Sequence, residues 1–117
     1  MLYNVCMDTF TALADPTRRS IIEMIASRGE LSASDISDNF STSPPAISQH
    51  LKVLREVKLL RMEKRAQQRI YSIDTNGISE MEQWLVNMRR MWNERFDALD
   101  KYLESEKNKP NKEKENG

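Results

Sequence analysis

The stretch Ser41–Val57, Ser-Thr-Ser-Pro-Pro-Ala-Ile-Ser-Gln-His-Leu-Lys-Val-Leu-Arg-Glu-Val, constrains this chain more than any other. Ser43 is placed to cap a helix with its hydroxyl, and Pro44 takes the first helical position, where a missing N–H costs nothing. Ile47, Leu51 and Leu54 follow at i, i+4 and i+7 as one apolar stripe. Ser48, Gln49, Lys52 and Arg55 fall off that stripe, so a helix pinned to a core by its leucines points polar donors outward. Upstream, Ser32–Phe40 reads as a shorter helix with Ser32 and Asp35 at capping-box spacing. Only Ser41 and Thr42 then separate the two helices. A tight corner whose second helix carries an outward polar face is the helix-turn-helix plan, here over about residues 33–57.

A chain of 117 residues, 38% hydrophobic and 31% charged, suits one globular domain with a modest core. No apolar run approaches the roughly 18 residues of a membrane span and no basic, apolar leader opens the chain, so the expected location is cytoplasmic, with no membrane partner. The single cysteine, Cys6, excludes an internal disulfide, and with His50 as the one histidine little remains for a metal site. Nothing basic adjoins Cys6 in sequence to activate its thiol, so an inert thiol is expected. No nucleophile–base set or phosphate-cradling glycine loop stands out, and three glycines leave little for cofactor loops. Neither an enzyme nor a bound cofactor is expected.

The formal net charge is zero, yet the charges are segregated. Residues 1–42 hold three basic and six acidic side chains. From Ser43 to Ile73 there are seven basic ones (Lys52, Arg55, Lys58, Arg61, Lys64, Arg65, Arg69) against Glu56 and Glu63. That is a basic patch on a neutral protein, of the kind that binds nucleic acid, and it coincides with the outward-facing second helix of the helix-turn-helix.

The remaining chain frames this corner. Val5–Leu13 reads as a helix; Asp15 then caps a second, over Thr17–Ser27, with Pro16 at its first position and Gly29 suited to its C-terminal cap. Leu31 supplies a minimal strand. Residues 60–74 change to a period of two and form a hairpin with its tip at Ala66-Gln67-Gln68. Such a ribbon, with Lys64, Arg65 and Arg69 near its tip, is a wing able to follow the phosphate backbone or enter the neighbouring minor groove. The longest helix is expected over about 78–103, opened by the capping box Ser79-Glu80-Met81-Glu82. Leu85, Met88, Trp92, Phe96, Leu99 and Tyr102 give it more apolar surface than so small a core can cover, so burial against a second copy is expected. Residues 104–117 are charged and expected to be disordered. The fold class is mostly α with a small β-hairpin, a winged helix-turn-helix over residues 1–103 with long terminal dimerisation helices.

In this order of elements the chain resembles the ArsR family of bacterial winged-helix repressors over about Thr9–Leu103. The words that carry the resemblance are Phe10-Thr11-Ala12-Leu13-Ala14-Asp15-Pro16-Thr17-Arg18-Arg19, Ala46–Glu56, and Trp92-Asn93-Glu94-Arg95-Phe96-Asp97-Ala98-Leu99. The resemblance implies a homodimer built on the first and last helices, with Val5 and Phe10 of the first helix at its interface, that binds an inverted-repeat operator in double-stranded DNA and represses transcription. Two departures matter. Where many members carry a Glu-Leu-Cys-x-Cys-Asp metal motif, this chain has Glu30-Leu31-Ser32-Ala33-Ser34-Asp35, and hydroxyls do not hold soft metals. Metal sensing is therefore not expected. Where the wing turn usually carries glycine and arginine, Gln67-Gln68 stand here, losing an easy positive-φ residue and one charge.

The expected DNA contacts are Ser43, Pro44, Ser48, Gln49, His50, Lys52 and Arg55 on the helix and Lys64, Arg65 and Arg69 on the wing. Gln49 has the donor–acceptor pair that reads adenine, and Ser48 reaches several base edges. Ser43 serves equally well as a plain cap, and His50 suits packing with one phosphate hydrogen bond. Arg18 and Arg19 are placed for a phosphate or for a structural salt bridge. The alternative function is a winged-helix protein-interaction module that works through its long helix without DNA. What releases the protein from DNA, whether a small molecule, a protein partner or its own concentration, is left open.

Overall fold

The computed structural model describes the backbone of residues 2–108 and the side chains of residues 8–107. Its elements are α1 (Leu2–Leu13), α2 (Pro16–Arg28), β1 (Glu30–Ser32), α3 (Ala33–Asp38), α4 (Pro44–Glu56), β2 (Leu60–Arg65), β3 (Gln68–Ile73) and α5 (Thr75–Asn108). Among the described residues, those up to Glu82 form one compact unit, and those from Gln83 onward form a second.

Helix starts follow the capping chemistry read from the sequence. The Asp15 carboxylate accepts from the backbone N–H of Thr17 (2.8 Å) and of Arg18 (3.1 Å), with Pro16 at the first position. Those backbone donors, Arg18 first, hold the carboxyl below its ordinary pKa against a smaller opposing effect of desolvation. A carboxyl lowered by folding contributes stability above its unfolded value and loses it as pH falls through the folded one. Asp15→Ala is therefore expected to cost about 1 kcal/mol at neutral pH. In thermal melts that deficit relative to the parent shrinks below about pH 4, where the unfolded carboxyl is protonated. Ser32 Oγ accepts from Asp35 N–H (3.1 Å) and Ser43 Oγ from Ala46 N–H (3.4 Å). Gly29, at φ 91°, ends α2 by donating its N–H to the Ile25 carbonyl. The turn between α3 and α4 is longer than Ser41-Thr42. It starts at Asn39, whose side chain takes the Asp35 carbonyl at 2.7 Å and closes α3 early.

One core holds the first unit together. Ile21 and Ile25 of α2, Ile36 of α3, and Ile47, Leu51 and Leu54 of α4 are all buried, with Leu59, Leu60 and Tyr71 of the hairpin and its approach. Each such side chain is worth about 1.5–3 kcal/mol on burial, so the three of α4 fix its rotation far more firmly than any surface pair. Ile78 and Met81 of α5 pack on the same core.

The sheet has three antiparallel strands in the order β1-β3-β2. Leu60 pairs with Ile73, Met62 with Tyr71 and Lys64 with Arg69, and Leu31 of β1 joins opposite Tyr71. Leu60, Tyr71 and Leu31 therefore share the core face, while Arg61, Glu63 and Arg65 lie on the other. The wing turn is only Ala66-Gln67, because Gln68 already pairs with Arg65. The positive φ falls on Ala66, at 55°. A left-handed alanine carries a steric cost that glycine lacks. Ala66→Gly is expected to raise stability by about 0.5–1 kcal/mol, read as an increase in melting temperature.

Helix α4 ends in a Schellman motif. Leu59 N–H donates to Leu54 O (2.9 Å) and Lys58 N–H to Arg55 O (3.0 Å), with Lys58 in the left-handed region at φ 62°. Gly77 N–H then donates to Lys58 O at 2.8 Å, fastening the start of α5 to the end of α4.

Helix α5 is longer than expected at both ends. It starts at Thr75 instead of residue 78, because Asp74 Oδ1 takes the Asn76 N–H (2.9 Å) and supplies the cap. It continues past Leu103 to Asn108, so residues 104–108 of the expected disordered tail are helical; Glu and Lys are good helix formers even without an apolar stripe. Residues 109–117 lie outside the described residues. No described helix is long and apolar enough to cross a membrane.

Candidate nucleic-acid interface

With Ile47, Leu51 and Leu54 turned into the core, α4 presents Ser48, Gln49, Lys52 and Arg55 to solvent, and all four are exposed. Ser43 and Pro44 are exposed at its N-terminal end. The Ser43 hydroxyl oxygen caps the helix and keeps its proton available as a donor.

His50 stands apart from this row. It is half-buried on the flank of α4, where Arg18 Nη1 lies 3.2 Å from its Nδ1. A guanidinium only donates, so in this contact Nδ1 is the accepting nitrogen and Nε2 is left to face outward partners. Arg18 Nε also donates to the Ala12 carbonyl at 2.7 Å, and Arg19 Nη1 to those of Leu13 and Ala14 at 2.8 and 3.1 Å. The two arginines thus satisfy the orphan carbonyls at the end of α1, and of the two roles expected, a phosphate contact or a structural salt bridge, no salt bridge of either forms among the described residues.

The wing separates its three basic residues. Lys64 and Arg69 face each other across the hairpin on the face that buries Leu60 and Tyr71 nearer its base, which is the side of the helices. Like charges directly opposite destabilise a strand pair. Arg65 lies on the other face, where it bonds Glu30 at 2.6 and 3.1 Å and Glu63 at 3.2 Å. The Arg65 hydrogen bond holds the Glu30 carboxyl below its ordinary pKa, and the two carboxylates raise that of Arg65. Of the three, Arg65 has its charge already neutralised and ties the wing to β1.

Between α4 and β2 runs an open cleft of about 560 Å³ lined by Lys52, Arg55, Glu56, Lys58, Arg61 and Asp74. Lys58 and Arg61 belong to the basic excess of the sequence, but spacing alone assigns them no surface; the turn after α4 and the edge position of β2 bring them here.

From Gln83 onward α5 leaves Leu85, Met88, Trp92, Phe96, Leu99 and Tyr102 between 41% and 60% exposed. Trp92 and Phe96 meet edge-to-face at 5.3 Å. Phe10 of α1 is half-buried, while Val5 and Cys6 lie outside the described side chains.

At the position of the cysteine motif, Ser32 is buried and engaged as the cap of α3, and Ser34 is exposed. Among the described residues no group of three or more His, Cys, Asp or Glu side chains is placed to hold a metal.

Comparison with known proteins agrees with this geometry. A family model described as a helix-turn-helix domain matches residues 13–63. The transcriptional repressor SdpR of Bacillus subtilis is 32% identical over 80 residues, covering 68% of this chain and 88% of that protein. The HTH-type transcriptional regulator Rv2034 of Mycobacterium tuberculosis is 33% identical over 95 residues, covering 81% and 85%. Among solved structures, an ArsR-like transcriptional regulator from Rhodococcus sp. RHA1 superposes with a TM-score of 0.77 at 25% identity, over 86% of this chain and 93% of that one.

Proposed function

The chain belongs to the ArsR family of winged helix-turn-helix transcriptional regulators, and we propose that it is a homodimeric repressor that reads an inverted-repeat operator without sensing a metal. The observation that carries this reading is the row Ser48, Gln49, Lys52 and Arg55, exposed on a helix whose opposite face is locked into the core. A major groove admits one α-helix, and such a row meets base edges first and phosphates next. Gln49 supplies base recognition and Ser48 an adaptable donor. Ser43 and Pro44 bring the helix start against the bases, and Lys52 and Arg55 neutralise phosphates. His50, oriented by Arg18, offers its Nε2 proton to a phosphate at the edge of the groove. Lys64 and Arg69 extend the contact from the wing, and Arg65 acts by holding the wing in place.

The exposed apolar row of α5 supports the dimer. A surface with that many large apolar side chains along one helix is covered in a stable protein. A two-fold copy gives an isologous interface from one set of residues and sets two recognition helices on half-sites about one helical turn apart. Metal independence is supported by the serines at the cysteine positions, where Ser32 is spent on capping and a neutral hydroxyl is a poor ligand for soft ions. The protein acts by binding DNA and not by catalysis.

The reading is tested by Gln49→Ala. It is expected to reduce preference for the operator by about 1–3 kcal/mol while leaving affinity for random-sequence duplex nearly unchanged, as read by competition binding. Equal losses on both DNAs would remove Gln49 from base recognition.

A further inference from the structure

We infer that the cleft between α4 and β2 is a seat for the sugar-phosphate strand that separates the major groove from the adjacent minor groove, with Lys58 and Arg61 as phosphate-binding residues. The inference rests on the DNA-binding reading above. A helix in a major groove and a wing reaching the next minor groove stand on either side of one backbone strand, and a protein that engages both grooves must leave a valley for that ridge. This chain has such a valley, about 560 Å³ and open to solvent. Lys52 and Arg55 enter it from α4, Lys58 from the turn and Arg61 from β2. All four are exposed, and among the described residues none of them forms an ion pair, whereas Arg65, which shares the sheet face of Arg61 nearer the wing tip, is paired with Glu30 and Glu63. Arg61 Nε approaches only the neutral Ser72 hydroxyl, at 3.5 Å.

The backbone sets Lys58 there deliberately. It occupies the left-handed position of the α4 terminus, where glycine is the usual residue, and its carbonyl is gripped by Gly77 N–H. A lysine kept at that strained position, lining the cleft, adds a cation that glycine cannot. Two carboxylates line the same cleft. Asp74 is engaged in capping α5, while Glu56 is exposed and opposes an anion. Phosphate binding is sequence-independent and releases counterions, so the prediction for each residue has a sign and a slope.

The test uses the full chain and a short random-sequence duplex, with affinity followed by fluorescence anisotropy across a salt series. Replacing Lys58 and Arg61 together with Gln is expected to weaken binding and to reduce the salt slope by about two, near 0.9 for each phosphate lost. Lys58→Arg with Arg61→Lys, which keeps both charges, is expected to retain the parental slope. Glu56→Gln is expected to tighten binding. A melting curve for each variant separates loss of contact from loss of fold. A steep parental slope that the double Gln variant leaves unchanged overturns the cleft assignment and leaves the DNA-binding reading intact. A parental protein whose binding is weak and flat with salt overturns both.

Discussion

Gly77→Ala is expected to destabilise the protein by about 2–3 kcal/mol, although alanine is the better helix former and Gly77 lies within α5. A Cβ built at Gly77 would lie 2.5 Å from the Lys58 carbonyl oxygen and 2.8 Å from that of Val57, and both obstacles are backbone. No side chain can turn aside to relieve the clash. Relief requires moving the end of α4 away from the start of α5, which breaks the Gly77–Lys58 hydrogen bond and disturbs the Schellman turn that ends the recognition helix. For a domain of this size the loss corresponds to a fall in melting temperature of roughly 10–20 °C. Gly29→Ala isolates the backbone effect: a Cβ there meets nothing within 4 Å, so its cost comes only from the conformation, φ 91° and ψ −57°, and is expected to be about 1–3 kcal/mol. If Gly77→Ala melts at the parental temperature, the junction is not the tight joint described.

The second large effect is expected from the apolar row of α5. Replacing Trp92 and Leu99 with Asp sets charges into the middle of the proposed interface, where a second copy would bury them without partners. Sedimentation should then show a monomer in place of the dimer proposed for the parent. Affinity for a two-half-site operator is expected to fall by about 100-fold or more, because each half-site is then bound without the effective concentration that the other provides. Affinity for an isolated half-site should change little, since both residues lie far along the chain from α4. A dimer that survives both substitutions would place the interface elsewhere.

How much of this was legible in the sequence depended on whether local signals agreed. For α4 they did: Ser43, Pro44 and the spacing of Ile47, Leu51 and Leu54 all indicate the same start, face and rotation, and the structure shows each. The wing was legible as a hairpin but not in its details. Lys64, Arg65 and Arg69 look alike in a basic run, and only strand parity, with Glu30 35 residues earlier in the chain, turns Arg65 outward and neutralises it. The turn residue with positive φ was equally hidden, because Ala66 and Gln67 both lack the glycine that would have marked it. The start of α5 misled for a different reason. Ser79-Glu80-Met81-Glu82 is a good capping box, yet Asp74 caps the helix earlier because Gly77 lets the first turn press against Lys58. Lys58 and Arg61 could be counted but not placed, since a cleft between a helix end and an edge strand has no sequence spacing of its own.

The measurement that bears most directly on the central claim is binding of the unmodified protein to the DNA upstream of its own coding sequence, against a random duplex of the same length, across a salt series. The account predicts a preference of at least about 1000-fold for one upstream segment, together with affinity that falls steeply as salt rises on both DNAs. Affinity that is weak, indifferent to sequence and insensitive to salt would contradict it, and would leave the long helix as the working surface.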